Sequence, residues 1–346
     1  MSDGTHIEWT DATVNAINGC TVLSPGCTNC YAMRLAGTRL RDHPSRKWLT
    51  SDSKAGPVWN GTVRLNESAL LQPLRWKRPR RIFWNAHGDM FHPAVPDAWI
   101  DRCFAIMALT PHHIHQVLTK RSDRMHAYLS DVAVNGRIAR VIIDWLVDGI
   151  ITKGLRHCAT WPVRSIGDID DPTDITVDMP LPNVWLGVSV EDQKRADERI
   201  PDLIDTPAAL RWLSCEPLLG PLDLSEWLVC PAARDGLTMD RSTGAYECCS
   251  KCDFTGVAAE IDWIVVGGES GPGSRPMQAR WVKSLRDQCA AAVVPFFFKQ
   301  WGNYLPCGQQ QSDGRLWTNG SGHPLCAIKS MTGRYLDGVQ HDGMPG

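Results

Sequence analysis

Three cysteines fall within eleven residues, in the run Ile17-Asn18-Gly19-Cys20-Thr21-Val22-Leu23-Ser24-Pro25-Gly26-Cys27-Thr28-Asn29-Cys30-Tyr31. Their spacing is C-x6-C-x2-C, and Gly19, Pro25 and Gly26 let the loop fold tightly around a bound group. Thiolates gathered in this way select zinc or an iron–sulfur centre. The number of ligands separates the two. A structural zinc site is closed by four protein ligands, whereas a [4Fe–4S] cluster on three cysteines keeps one iron open to bind and reduce a second molecule. Cys20, Cys27 and Cys30 are therefore read as cluster ligands. A zinc site completed by a distant side chain such as His6 or His87 is the other reading.

A second group, Cys230, Cys248, Cys249 and Cys252, stands apart from the first. Cys249-x2-Cys252 is a knuckle-type pair, and Cys248 offers an overlapping C-x3-C alternative. A zinc ribbon takes two such pairs, and here the first half supplies only Cys230. Zinc with an outside ligand, an auxiliary iron–sulfur cluster and metal-free surface thiols all fit.

The elements that must carry these residues can be read from hydrophobic patterning. Short, continuous apolar runs predict strands at Ala12–Ile17, Arg81–Asn85, Ile114–Leu118, Val184–Val188, Leu210–Ser214, Trp263–Val266 and Val294–Phe298. Continuous runs suit strands covered on both faces, as in a parallel sheet. Helices are predicted between them at Tyr31–Leu40, Pro96–Leu109, Asp192–Ile204 and Ala279–Ala292. Alternation of strand and helix implies an α/β sheet or barrel. Each strand runs into a polar or glycine-rich cluster holding Asp89, Lys120 and Arg121, Ser189 and Glu191, Glu216, Glu269 or Lys299. In parallel α/β folds ligands bind at that end of the strands. The run Gly267-Gly268-Glu269-Ser270-Gly271 is either a close approach of backbone to ligand or a tight structural turn.

Two stretches break the rhythm and are read as insertions. One, at about 122–181, holds an amphipathic helix near Val134–Gly149 and an acidic, irregular part at Asp168–Asp178. The other, at about 223–260, holds the second cysteine group. The resulting domain reading is an α/β domain over 1–305 and a Gly-rich, polar extension over 306–346 with weak order signals, to which Trp317 and Leu325 offer docking points.

The chain has 346 residues, 43% of them hydrophobic, and a net charge of −2. That supports a large core and no overall field toward anionic surfaces. The basic run Lys77-Arg78-Pro79-Arg80-Arg81 reads as a solvated loop before a strand. No eighteen-residue apolar stretch is present, so no membrane partner is expected. With no signal-peptide pattern at the start, the expected location is the cytoplasm, where thiols stay reduced. Thirteen cysteines then need an explanation other than disulfides.

The strand, three-cysteine loop and helix at the start resemble the opening of the radical-SAM superfamily, in which such a loop follows the first strand of a partial or full (β/α) barrel. The first gap here has six residues where that superfamily most often has three. The chain further resembles a divergent, phage-associated three-cysteine-motif family found also in bacterial genomes. The resemblance rests on Ile7-Glu8-Trp9-Thr10, Gly19-Cys20 to Cys30-Tyr31-Ala32, Asp89-Met90-Phe91-His92, Leu118-Thr119-Lys120-Arg121, Trp185 to Glu191, Ser214-Cys215-Glu216-Pro217-Leu218, Gly267 to Gly271 and Phe298-Lys299-Gln300-Trp301-Gly302.

That resemblance implies a mostly parallel (β/α) barrel. It also implies a [4Fe–4S] cluster and S-adenosylmethionine (SAM) as cofactors, and an electron donor such as flavodoxin or ferredoxin. The open iron would chelate the methionine moiety, and reductive cleavage would start radical chemistry on a substrate. A phage setting suggests a nucleic-acid base or nucleotide, in a host cytoplasm. Under this reading Asp89 serves the SAM ammonium, Ser189 and Glu191 its ribose, and Lys120 and Arg121 its carboxylate or a substrate phosphate. Glu216, Glu269 and Lys299 face substrate as catalytic groups. The rival expectation is a non-enzymatic, zinc-stabilised module that binds nucleic acid or protein.

Overall fold

The computed structural model describes residues 4–5, 7–151, 163–165, 175–228 and 260–346. The chain divides into two compact units, Met1–Val188 with Asp205–Leu210, and Ser189–Ile204 with Arg211–Gly346. The 306–346 stretch belongs to the second of them.

The principal strands are β1 (Ala12–Val14), β2 (Arg81–Trp84), β3 (Ile114–Thr119), β4 (Val184–Ser189), β5 (Leu210–Cys215), β6 (Trp263–Gly267) and β7 (Phe296–Gln300). They form one seven-stranded sheet whose order follows the chain, with β1 and β7 at its ends. The pairs β1·β2, β2·β3, β3·β4, β5·β6 and β6·β7 are parallel. Every residue of β4 and β6 is buried, which is why these segments read as unbroken apolar runs. A strand order that never reverses is that of a (β/α) barrel segment; doubly wound sheets reverse direction at a switch point.

Helices lie between the strands. They are α1 (Tyr31–Gly37), α2 (Asp97–Leu109), α3 (Ser122–Leu129), α4 (Val134–Val147), α5 (Gln193–Asp205) and α6 (Ala279–Ala291). In α2, Pro96 precedes the first turn and Asp97 lies within it, a favourable charge for the helix dipole. Nine of its thirteen residues are buried.

Three of the expected boundaries that move do so for an identifiable local reason. The first strand stops at Val14, because the Asn15 carboxamide turns away to accept from the backbone N–H of His87 (3.1 Å). Ile17–Asn18 then pairs antiparallel with Arg64–Leu65. Helix α1 ends at Gly37, where the backbone N–H of Leu40 closes back on the Leu35 carbonyl. The last strand begins two residues late because Val293 takes a left-handed turn conformation, φ 57°.

The 122–181 insertion contains α3 and α4, and Val163–Ser165 paired antiparallel with Ile175–Val177. Ile175–Val177 lies where the sequence suggested only irregular chain. The tail is also more ordered than its composition suggested. Asp342 bridges antiparallel to Phe297, and His341 and Gly343 exchange backbone hydrogen bonds with Phe298 and Phe296. The Trp263 indole donates to the Gly343 carbonyl and the Trp301 indole to that of Tyr335, both at 2.8 Å. The tail is thus a strap along β7. No helix among the described residues is long and apolar enough to cross a membrane.

Candidate functional site

In the first unit the three-cysteine loop is held from both ends. The backbone N–H of Gly19 donates to the His87 carbonyl (3.1 Å), and Gly19 bridges Gly88 in parallel. Gly19 has φ +95°, and a Cβ there would stand 2.1 Å from the Thr62 carbonyl oxygen. Only glycine fits so close an approach. Pro25–Cys27 forms a single 3-10 turn whose closing bonds run from Cys27 to Ser24 and from Thr28 to Pro25. Cys30 then caps α1.

All three cysteines are half-buried free thiols. Cys20 and Cys30 rest against an apolar cluster of Ala32, Met33, Ala36, Leu49 and Trp59. That cluster joins α1 to the hairpin Thr50–Ser53/Gly56–Trp59. Burial pushes the Cys20 thiol up to about 12, with Asp89 and Cys27 adding to the rise and Arg121 opposing it. Burial raises Cys30 as well, and Cys27 adds to this. Cys27 therefore lies within electrostatic reach of both of the other thiols.

The residues after β2 and β3 form a buried ion-pair network beside Cys20. Asp89 Oδ1 accepts from Thr119 Oγ1 (2.8 Å) and the Phe91 N–H (3.0 Å), and Asp89 Oδ2 accepts from Arg121 Nη1 (2.7 Å). Arg121 reaches on to Cys20 Sγ at 3.6 Å and to Thr21 Oγ1 at 2.8 Å. Thr21 Oγ1 also meets His92 Nε2 at 3.1 Å. With both oxygens occupied, Asp89 is first of all the group that fixes Arg121. The Lys120 side chain has no hydrogen-bonded or ionic partner among the described residues, although its backbone N–H leans on Asp89 (3.4 Å).

The second unit carries its own set. Glu191, 1% exposed, accepts from Arg199 Nη1 at 2.9 Å, and the same guanidinium nitrogen donates to the Ser189 carbonyl at 2.7 Å. Lys299 Nζ donates to both oxygens of Glu216 at 2.8 Å, and Gln300 Nε2 approaches Oε1 at 3.3 Å. The buried Glu269 receives the Arg275 N–H (2.8 Å), Nε (2.9 Å) and Nη2 (2.5 Å). Each expected catalytic carboxylate thus has a cation in contact.

The glycines after β6 behave as a structural turn. A Cβ on Gly268 would stand 2.1 Å from the Trp301 carbonyl oxygen, and one on Gly302 2.1 Å from that of Glu269. Those glycines let the ends of β6 and β7 touch. The basic run at 77–81 is likewise taken up locally: Arg80 lies over the Trp76 ring, and Arg81 pairs with Asp11.

Sequence reasoning singled out the carboxylates and lysines but not Arg199 or Arg275, and it placed Arg121 on a ligand, not beside Cys20. A signal for Arg199 was present, since it lies 8 residues beyond Glu191, on the helix that follows it. Cys230, Cys248, Cys249 and Cys252, and the alternative ligand His6, lie outside the described residues.

Among the described residues no three His, Cys, Asp or Glu side chains stand close enough to ligate a single metal ion. A [4Fe–4S] cluster, if bound, would be held by Cys20, Cys27 and Cys30. Its fit here rests on the donors. Three thiols on one loop, an apolar backing behind Cys20 and Cys30 and a guanidinium beside Cys20 would suit an electron-rich cluster.

A sequentially ordered parallel α/β sheet with three cysteines in its first strand-to-helix connection defines the class. The chain belongs to the family described as protein of unknown function (DUF5131), whose model matches residues 4–345. No curated protein and no solved structure matches it.

Proposed function

We propose that the protein is a radical-SAM enzyme whose [4Fe–4S] cluster is held by Cys20, Cys27 and Cys30. The observation that carries this reading is the pairing of a three-thiol loop with Arg121, which a buried carboxylate holds 3.6 Å from Cys20 Sγ. When bound, such a cluster supplies an electron for reductive cleavage of SAM at its open iron. Arg121 offsets the negative charge of the Cys20 thiolate. Asp89, fixed by Thr119, aims that guanidinium, and the cluster around Leu49 and Trp59 excludes water from the loop. Lys120, free of protein partners among the described residues, takes the SAM carboxylate. In the second unit Lys299 holds a proton at Nζ against Glu216 and is the candidate acid–base pair for substrate. Glu191 and Glu269 hold Arg199 and Arg275 in place.

The test is anaerobic reconstitution with iron and sulfide. The wild-type protein is expected to turn brown, to bind about four irons per chain, and to release methionine and 5′-deoxyadenosine from SAM on reduction. Each of Cys20→Ala, Cys27→Ala and Cys30→Ala should abolish both colour and cleavage. Asp89→Asn should keep the cluster but slow cleavage, with Arg121 no longer anchored. Colourless protein with stoichiometric zinc would overturn the proposal in favour of a zinc-stabilised binding module. Colour without SAM cleavage would overturn the enzymatic half.

A further inference from the structure

Arg46 is a buried cation with no anion beside it among the described residues. It is only 6% exposed, and its described contacts are neutral: Nε donates to His87 Nδ1 at 3.2 Å and Nη1 to Ser45 Oγ at 2.6 Å. His87 accepts at Nδ1 and is neutral at pH 7, because burial and Arg46 itself hold it down to about 4. Burial likewise lowers Arg46 to about 10, with only the Tyr31 phenol opposing that shift. The other deeply buried arginines among the described residues each have a carboxylate, as Arg121 has Asp89 and Arg199 has Glu191. An unpaired buried charge is costly, and a bound anion removes that cost.

The neighbouring chain supplies a second, independent feature. Trp48 is 71% exposed and holds φ 65°, a left-handed conformation that bulky residues rarely adopt. The next residue, Leu49, is fully buried in the cluster behind Cys20 and Cys30. Between the buried Arg46 and Leu49 the chain turns outward and presents an indole. Lys47 Nζ lies over that ring, 4.3 Å from its centroid. Tyr31, the residue after Cys30, is half exposed and stands edge-on to His87 at 5.9 Å. Residues 31–48 hold five cations and one carboxylate, in a chain whose net charge is −2. An exposed indole under a lysine, next to a buried cation lacking a counter-ion, matches a strand that offers phosphate and unpaired base together.

We propose that residues 31–48 form a docking face for single-stranded nucleic acid, with Arg46 gripping a backbone phosphate and Trp48 stacking on a base. The proposal names the substrate class of the cysteine-loop site and in that respect rests on the preceding reading. Strand binding needs neither SAM nor reductant, so it can fail or succeed independently of SAM cleavage.

The experiment is fluorescence anisotropy of an end-labelled 12-nucleotide oligothymidylate against the full-length protein over a range of salt concentrations. Wild type should bind with a salt dependence that reports several phosphate contacts. Arg46→Gln should weaken binding and reduce the log–log salt slope by about 0.7, the value for one phosphate on a single strand. Trp48→Ala, a change at an exposed side chain, should lower affinity about 10-fold and leave the slope unchanged, as loss of one stacked base predicts. Arg46→Lys should restore most of the slope. No binding at millimolar protein, equal binding by wild type and Trp48→Ala, or equal binding of a duplex of the same length would each overturn the proposal.

Discussion

At the scale of single residues, buried polar groups in this protein are wired so that their protonation states can be read from their partners. His115 is the clearest case. The Trp84 indole N–H can only donate, and it points at His115 Nδ1 at 3.0 Å. The proton must then sit on Nε2, facing Thr110 Oγ1 at 3.0 Å, and the Thr110 hydroxyl passes its own proton to the Ile106 carbonyl at 2.6 Å. A second proton on His115 would oppose two N–H groups. Burial, with smaller contributions from His113 and His112, holds its pKa down to about 3. In the unfolded chain it titrates near 6.5. The stability contributed by neutral His115 is complete above pH 6.5 and is lost progressively as pH falls toward 3, because the unfolded state binds the extra proton first. His87 and His113, both held near 4 by burial, act in the same direction. Urea midpoints should therefore fall steadily between pH 6.5 and 5. The His115→Gln variant should start lower but fall less steeply; an equal slope would show that His115 is not the group responsible.

The residue scale is also where sequence reading reached its limit. Cys20, Cys27 and Cys30 were legible as a group because they cluster along the chain. Arg121 and Asp89 are 32 residues apart, and Glu216 and Lys299 are 83 apart. Such pairings depend on which strand ends become neighbours, and hydrophobic periodicity carries no information about that. Arg46 was hidden for a different reason. A lone arginine in a polar stretch looks solvated, and only its depth marks it out.

At the scale of elements, the strands and principal helices were readable because burial on both faces forces continuous apolar runs in β4 and β6. What composition could not show was how tightly the turns pack. Gly19 and Gly268 each face a carbonyl oxygen across a gap with no room for a methyl group. Their consequences should differ because their neighbours differ. Gly19→Ala displaces the start of the cysteine loop and also strains the backbone at φ +95°, so on the proposed reading it should prevent cluster assembly even where the fold survives. Gly268→Ala pushes apart the ends of β6 and β7 in the second unit. It should lower stability by roughly 2 kcal/mol or more and leave iron content intact. Iron per chain and urea midpoint, measured on both variants, separate the two effects. Iron loss in both would mean that the glycines serve general folding alone.

At the scale of the whole chain, the sheet order sets where chemistry can be placed. Within each unit the parallel strands run in one direction, and polar clusters follow their carboxyl ends. The two compact units hold different groups. The first holds the thiols and Arg46, which has no carboxylate partner among the described residues, and the second holds three carboxylate–cation pairs. The tail belongs to this scale too, because it covers the outer edge of β7. An uncovered strand edge is a template for pairing with other chains. Removal of residues 333–346 would expose that edge and leave the Trp263 and Trp301 indole donors without their carbonyl acceptors. The truncated protein should self-associate at concentrations where the full-length chain does not, as light scattering would show. A monodisperse truncated protein would mean that the strap is dispensable.

The same strap has a consequence for the order of events in folding. Gly343 accepts from an indole 80 residues earlier in the chain, and Arg334 clasps the Phe298 carbonyl and Asp342 only after β7 is in place. Contacts that join distant segments late contribute little to the rate-limiting step and much to the lifetime of the finished state. In a chevron experiment Asp342→Ala should leave the refolding limb where it is and raise the unfolding limb. The strap would then act as a latch, one that determines how long the native state persists and has no effect on how quickly it is reached.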